Sequence, residues 1–108
     1  MVSVANDEAM VSLEDEASSV ARTLKMLANE KRLLILCQLA MAGEIPAAAL
    51  ARGVSLSQSA LSQHLARMRG EGLVAFRRES QTLHYSIANP QINRLLLALK
   101  DIYCPKLA

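Results

Sequence analysis

Twelve side chains in this sequence are of types that do chemistry, and they fall into two groups. The first is Ser57, Gln58, Ser59, Ser62, Gln63, His64 and Arg67, continued downstream by Arg77, Arg78 and Gln81. A glutamine amide donates and accepts and so matches an adenine edge. A serine hydroxyl serves a base or a phosphate, and an arginine pairs with guanine or grips a phosphate. The stretch 57–69 holds no Lys–Glu pair, the usual filling of an idle helix surface. Taken singly, each Ser or Gln is an ordinary exposed residue; taken together, they fit the groove of a nucleic acid.

The second group is Cys37 and Cys104, 67 positions apart. Two cysteines are too few for the disulfide scaffold of a small secreted domain. They leave packing, a metal site or a redox switch open. Free Cys packs like a small hydrophobe, and two thiolates alone make a poor closed zinc site. Cys104 lies close to Lys106, a setting that favours the thiolate, so it is expected to be the more reactive of the two. No Cys-x-x-Cys, acid–base cluster or glycine-rich phosphate loop accompanies them. An enzyme is not expected, and neither is a cofactor.

These residues need a frame. At 108 residues the chain has the size of one domain, so residues 1–108 are read as a single unit with residues 1–8 as a disordered tail. Just over half the residues are apolar, and the aromatics are only Phe76, Tyr85 and Tyr103, so the core must be aliphatic. The net charge of +2 conceals an asymmetry. Residues 1–16 carry five acids and no base, whereas residues 17–108 carry twelve bases against five acids. A basic zone in a small domain suits a polyanion, although charge alone is equally met by a solvated surface. No apolar run is long enough for a membrane helix. The acidic start is unlike a secretion signal, which predicts a cytoplasmic protein.

Periodicity supplies the elements. Met10, Leu13, Ala17, Val20, Leu24 and Leu27 recur at alternating spacings of three and four, the seam of a long helix that wants a partner. Asn29 caps a second helix, apolar on most sides and therefore central, which Gly43 ends. Pro46 opens a third helix over about 46–52. Ser57 caps a fourth, with Leu61, Leu65 and Met68 inward and Gly70 and Gly72 closing it. Alternation then replaces the helical period. Val74 and Phe76, then Leu83, Tyr85 and Ile87, predict a β-hairpin around a polar loop. Asn89–Pro90 starts a last helix with Ile92, Leu95, Leu96, Leu99, Ile102 and Tyr103 inward, stopped by Pro105. The expected fold is mainly α with a small β-hairpin, a winged helix-turn-helix of order α-α-α-α-β-β-α.

On a wheel of about 100° per residue, a core-facing Leu61–Leu65–Met68 stripe turns Ser59, Ser62, Gln63 and Arg67 outward and puts Gln58 and His64 on the flanks. In helix-turn-helix proteins the first part of the second helix meets base edges. That part is Ser57, Gln58, Ser59, Ser62 and Gln63 here. Arg77, Arg78 and Gln81 on the hairpin would reach flanking phosphate or the minor groove.

The runs Leu24–Cys37 (LKMLANEKRLLILC), Ser57–Arg69 (SQSALSQHLARMR) and Gly72–Glu79 (GLVAFRRE) resemble the ArsR/SmtB family of bacterial regulators. The resemblance covers about residues 20–104. It implies a homodimer paired through the first and last helices, and double-stranded promoter DNA as the partner. It also implies a fourth helix that reads this DNA, and a repressor released by an inducer. The metal-ligand patterns of that family are not met, because 46–52 holds no Cys and 89–104 holds no His and only Asp101. Cys in a Leu-Ile-Leu-Cys context and Cys after Tyr resemble the BigR/SqrR/YgaV/HlyU-like dithiol subgroup. That implies Cys37 and Cys104 as a switch for reactive sulfur or oxidants. An anti-silencing activator of virulence genes and a metal-responsive repressor are the alternatives.

Overall fold

The structure, a computed structural model, describes residues 7–105. Of the expected N-terminal tail, residues 1–6 lie outside the described residues, and Asp7 and Glu8 begin the first helix. The order is α1 (Asp7–Leu27), α2 (Glu30–Ala42), β1 (Ile45–Pro46), α3 (Ala47–Gly53), α4 (Gln58–Gly70), β2 (Val74–Glu79), β3 (Thr82–Ile87) and α5 (Pro90–Tyr103). This is the winged helix-turn-helix expected from the sequence, with one added strand. The hairpin is the larger part of a three-stranded antiparallel sheet of order β1-β3-β2.

Helix starts follow local chemistry. The Asn29 side chain accepts from the Arg32 N–H at 3.1 Å, Ser57 from Ala60 at 3.0 Å and Asn89 from Gln91 at 2.8 Å. Each satisfies a donor that the first helical turn leaves without a partner. Pro90 sits in the first turn of α5, where its missing N–H costs nothing. Gly43 ends α2 at φ 87°, a left-handed conformation that suits glycine.

α2 runs through the centre. Ile35, Leu36 and Leu39 are fully buried, and Leu50, Leu61, Leu65, Met68 and Leu96 close around them. Each such side chain contributes roughly 1.5–3 kcal/mol by leaving water. Two polar side chains of α2 also hold the turn region. Gln38 Nε2 donates to the Gly53 carbonyl at 2.7 Å, and Lys31 Nζ donates to the Val54 carbonyl at 2.9 Å. A Cβ at Gly53 would meet the Gln38 amide, so a larger residue there would push that side chain off its bond to the turn. The turn between α3 and α4 is thus fixed to the central helix, and with it the angle at which α4 is presented.

Three expectations need correction. The third helix begins at Ala47, because Pro46 pairs with His84 as the end of β1. Ile102 and Tyr103 do not face inward; they are 68% and 77% exposed, because α5 runs on past the body that buries Ile92 and Leu96. Leu34 and Met41 are likewise exposed on α2, which is central but not enclosed on every side.

A candidate DNA interface

α4 divides cleanly. Leu61, Leu65 and Met68 are buried, while Gln58, Ser59, Ser62, Gln63 and Arg67 are exposed. The structure therefore gathers on one outer surface the residues that the wheel assigned to it. Ser57 has a second task. Its Oγ accepts the cap hydrogen bond, and its hydroxyl hydrogen is left to donate outward. His64 is half-buried on the flank. Burial pushes its imidazole below the usual histidine range, and the charges of Arg32 and Arg67 push it further in the same direction.

The wing stands beside the C-terminal half of α4. The Arg69 guanidinium lies over the Phe76 ring, 4.8 Å from its centroid, a cation–π contact that ties α4 to β2. Phe76 packs on its cross-strand partner Tyr85 at 5.5 Å between ring centroids. β2 and β3 turn over at Ser80 and Gln81, with Ser80 at φ 60°. Gln81 is exposed there.

The two wing arginines have different surroundings. Arg77 is held in a fork. Its Nε and Nη2 each donate to Glu44 at 2.9 Å, and its Nη1 donates to Glu79 at 2.9 Å. These hydrogen bonds raise the Arg77 pKa further and hold both carboxyls below the usual range. His84 Nε2 stands 3.7 Å from the same Glu79 oxygen. Arg78 is exposed and takes part in none of the ion pairs of the described residues. Glu44 was not picked out by the sequence reading, and neither was Arg32. Each lies far along the chain from the residue it meets, so no local spacing signals it.

The cysteines sit apart from this surface. Cys37 is half-buried on α2 and Cys104 is exposed at the end of α5, both as free thiols. α2 and α5 pack against each other. Burial pushes the Cys37 thiol up, and the charge of a Cys104 thiolate pushes it up further. Lys106, expected to favour the Cys104 thiolate, lies outside the described residues. Among the described residues, no group of three or more His, Cys, Asp or Glu is placed to hold a metal ion.

A helix-turn-helix with a polar outer face on its second helix, followed by a wing, defines a DNA-binding protein of the winged-helix class. Residues 29–75 match the model of the bacterial regulatory proteins of the arsR family. The chain is 45% identical to the HTH-type transcriptional regulator YgaV of Escherichia coli, over 89% of this chain and 97% of that one. It is 40% identical to the transcriptional activator HlyU of Vibrio cholerae, over 85% and 84% of the two chains. The crystal structure of the transcriptional repressor BigR from Xylella fastidiosa superposes with a TM-score of 0.80 at 32% identity, covering 88% of this chain and 96% of that one. The chain belongs to the arsR family: it is a DNA-binding transcription regulator and not an enzyme. No helix among the described residues is long and apolar enough to cross a membrane.

Proposed function

We propose that this chain is a homodimeric cytoplasmic repressor that holds promoter DNA through α4 and the wing. We further propose that it lets go when reactive sulfur or an oxidant joins Cys37 to Cys104. The observation that carries the reading is the division of α4, with a buried aliphatic stripe and an exposed face of Gln58, Ser59, Ser62, Gln63 and Arg67. Gln58, Ser59, Ser62 and Gln63 are the base-reading side chains, Ser57 supports the start of the helix, and Arg67 and Arg78 hold phosphate. Gln81 meets the backbone at the wing tip.

The dimer rests on α1 and α5. Met10, Leu13, Val20 and Leu24 line one stripe of α1 and are exposed, as are Ile102 and Tyr103 of α5. A second copy of the chain covers both. A two-fold dimer presents its two α4 helices to half-sites about 34–36 Å apart, so a small change in dimer geometry costs much affinity.

The switch follows from the two thiols. The Cys104 thiolate attacks a sulfane sulfur of an inorganic polysulfide, which leaves one sulfur shorter, and Cys104 becomes a persulfide. The Cys37 thiolate then attacks Sγ of Cys104, the inner sulfur of that persulfide, and the outer sulfur leaves as hydrosulfide. Two thiols are oxidised to a disulfide and the sulfane sulfur is reduced to sulfide; of the two thiol protons, one leaves on the hydrosulfide and the other goes to solvent. Exposed Cys104 is the attacking thiol, since burial disfavours the thiolate at Cys37. The new bond ties α2 to α5 and so shifts the dimer surface relative to α4.

The test is a fluorescence-anisotropy titration of reduced, metal-free protein onto its own promoter, before and after polysulfide. Binding that weakens at least tenfold on treatment and returns with reductant is expected, and Cys37→Ser and Cys104→Ser should not respond. Unchanged binding after treatment removes the thiol switch and leaves DNA binding standing. The likeness to the activator HlyU supports a second reading, in which the bound protein relieves silencing. Transcription from the bound promoter then falls on deletion, whereas repression predicts a rise.

A further inference from the structure

α4 has two flanks, and they meet different neighbours. One carries Gln58, Ser62 and Arg69 and faces the wing, as the stacking of Arg69 on Phe76 records. The other carries Ala60, Gln63, His64 and Arg67, a stripe of i, i+3, i+4 and i+7 spacing. Across from it stands Arg32, in the first turn of α2. Together these residues line an open notch of about 170 Å³.

The notch is cationic and lacks a counter-charge. Arg32 and Arg67 take part in none of the ion pairs of the described residues. Arg32 is half-buried, and its Nε is buried without a hydrogen-bond partner. Its Nη1 reaches only the Met26 Sδ, at 3.9 Å, and a thioether is a weak acceptor. An arginine withdrawn from water and unmatched by a carboxylate is costly unless an anion arrives. A buried donor without a partner is rare and calls for an explanation, and an anion bound by this guanidinium supplies one. His64 feels both guanidiniums, which places three basic side chains around one space.

We propose that Arg32, Gln63, His64 and Arg67 form a seat for one backbone phosphate of the bound duplex, with Arg32 reaching it from outside the helix-turn-helix. The proposal rests on the reading that α4 enters the major groove. A helix in that groove has a phosphate backbone on each side, about 12 Å apart. The wing addresses one backbone with Arg78. The notch addresses the other, so α4 is gripped on both flanks. The arginine fork gives two-point contact to phosphate oxygens, and Gln63 and His64 add donors beside it.

The experiment is the affinity of wild type and Arg32→Gln for operator and scrambled duplexes, measured across a series of salt concentrations. Arg32→Gln should weaken binding about tenfold on both duplexes alike. It should also flatten the plot of log affinity against log salt by about 1.8, the signature of one phosphate contact of about 0.9 lost from each protomer of the dimer. Arg32→Lys, which keeps the charge, should recover most of the slope and part of the affinity, which a folding defect would not allow. A duplex with an uncharged methylphosphonate at the contacted position should show no Arg32→Gln penalty. A wild type that binds while Arg32→Gln binds equally, with the same slope, overturns the seat alone. A wild type that binds no duplex at low salt overturns the parent reading and the seat with it. The His64 ring protons, followed by NMR without DNA, separate the two sources of phosphate. Saturable binding of inorganic phosphate there, with unaltered duplex binding by Arg32→Gln, assigns the notch to a free anion and overturns its place in DNA binding.

Discussion

α1 and α4 are both amphipathic helices at the surface of this molecule, yet only α4 hides its apolar stripe. Leu61, Leu65 and Met68 are at most 2% exposed, against 58% for Leu13 and 50% for Leu24 on α1. The difference lies in what each helix lies upon. α4 rests on α3 and β2, with the core of α2 beneath it, so its inner face is consumed and its outer face is free for a partner of another kind. Of the described side chains of α1 only Leu27 is buried; Glu16, Val20 and Leu24 line a cleft beside Ile92 and Leu95, and most of the surface of this 21-residue helix, about 31 Å long, stays open. Its stripe asks for more of the same chemistry. One helix is finished by its own chain and offers hydrogen bonds; the other is unfinished and offers hydrocarbon.

The largest effect should come from breaking the finished helix. Leu65→Ala removes a fully packed side chain between α4 and the core, and should cost about 2–5 kcal/mol in urea unfolding. The lost contact also loosens α4 against α2, so affinity for DNA should fall with stability. A loss below 1 kcal/mol would mean that α4 is not anchored through this stripe.

The matching change on the unfinished helix is Leu24→Glu. In one isolated chain this side chain is half in water already, so the fold of the chain should survive. Two copies of Leu24→Glu facing across an α1 seam place like charges in an apolar contact. The protein should sediment as a monomer at micromolar concentration and should lose cooperative binding to paired half-sites. Because dimerisation itself adds to apparent stability, the two variants must be compared at one protein concentration. A dimeric Leu24→Glu moves the interface away from α1.

The same contrast explains what was legible in the sequence. Periods of 3.5 and 2 are written locally, so α1, α4, the hairpin and their inner faces could be read directly. The caps at Asn29, Ser57 and Asn89 were equally local, each a side chain bonding two or three residues ahead. β1 was not legible, because two residues have no period and Ile45–Pro46 becomes a strand only by lying beside β3. Ile102 and Tyr103 continue the inward stripe of α5 correctly in angle, but the body ends before they do. The outer face of α4 was legible because a helix fixes which residues share a side. Contacts between distant segments were not. Nothing near Arg77 announces Glu44, 33 positions earlier, and nothing near His64 announces Arg32.

That last point bears on the wing, where neighbouring arginines looked equivalent in the sequence. The smallest expected effect tests whether they are. Arg78 is open to solvent, and Arg78→Gln should flatten the salt dependence of DNA binding by about 1.8, which is about 0.9 for each protomer of the dimer. Arg77 has its Nε and both Nη nitrogens directed at Glu44 and Glu79, so Arg77→Gln should leave the slope nearly unchanged. Glu44→Gln removes a negative charge beside the wing and loosens the fork. It should tighten binding slightly on every sequence and steepen the slope by at most about 1.8, about 0.9 for each protomer, as Arg77 becomes available to phosphate. Exposed ion pairs of this kind add little to stability, so the fold should tolerate all three changes. Equal flattening by Arg77→Gln and Arg78→Gln would show that DNA opens the Glu44–Arg77 pair on binding, and Arg77 would then join Arg78 as a phosphate contact.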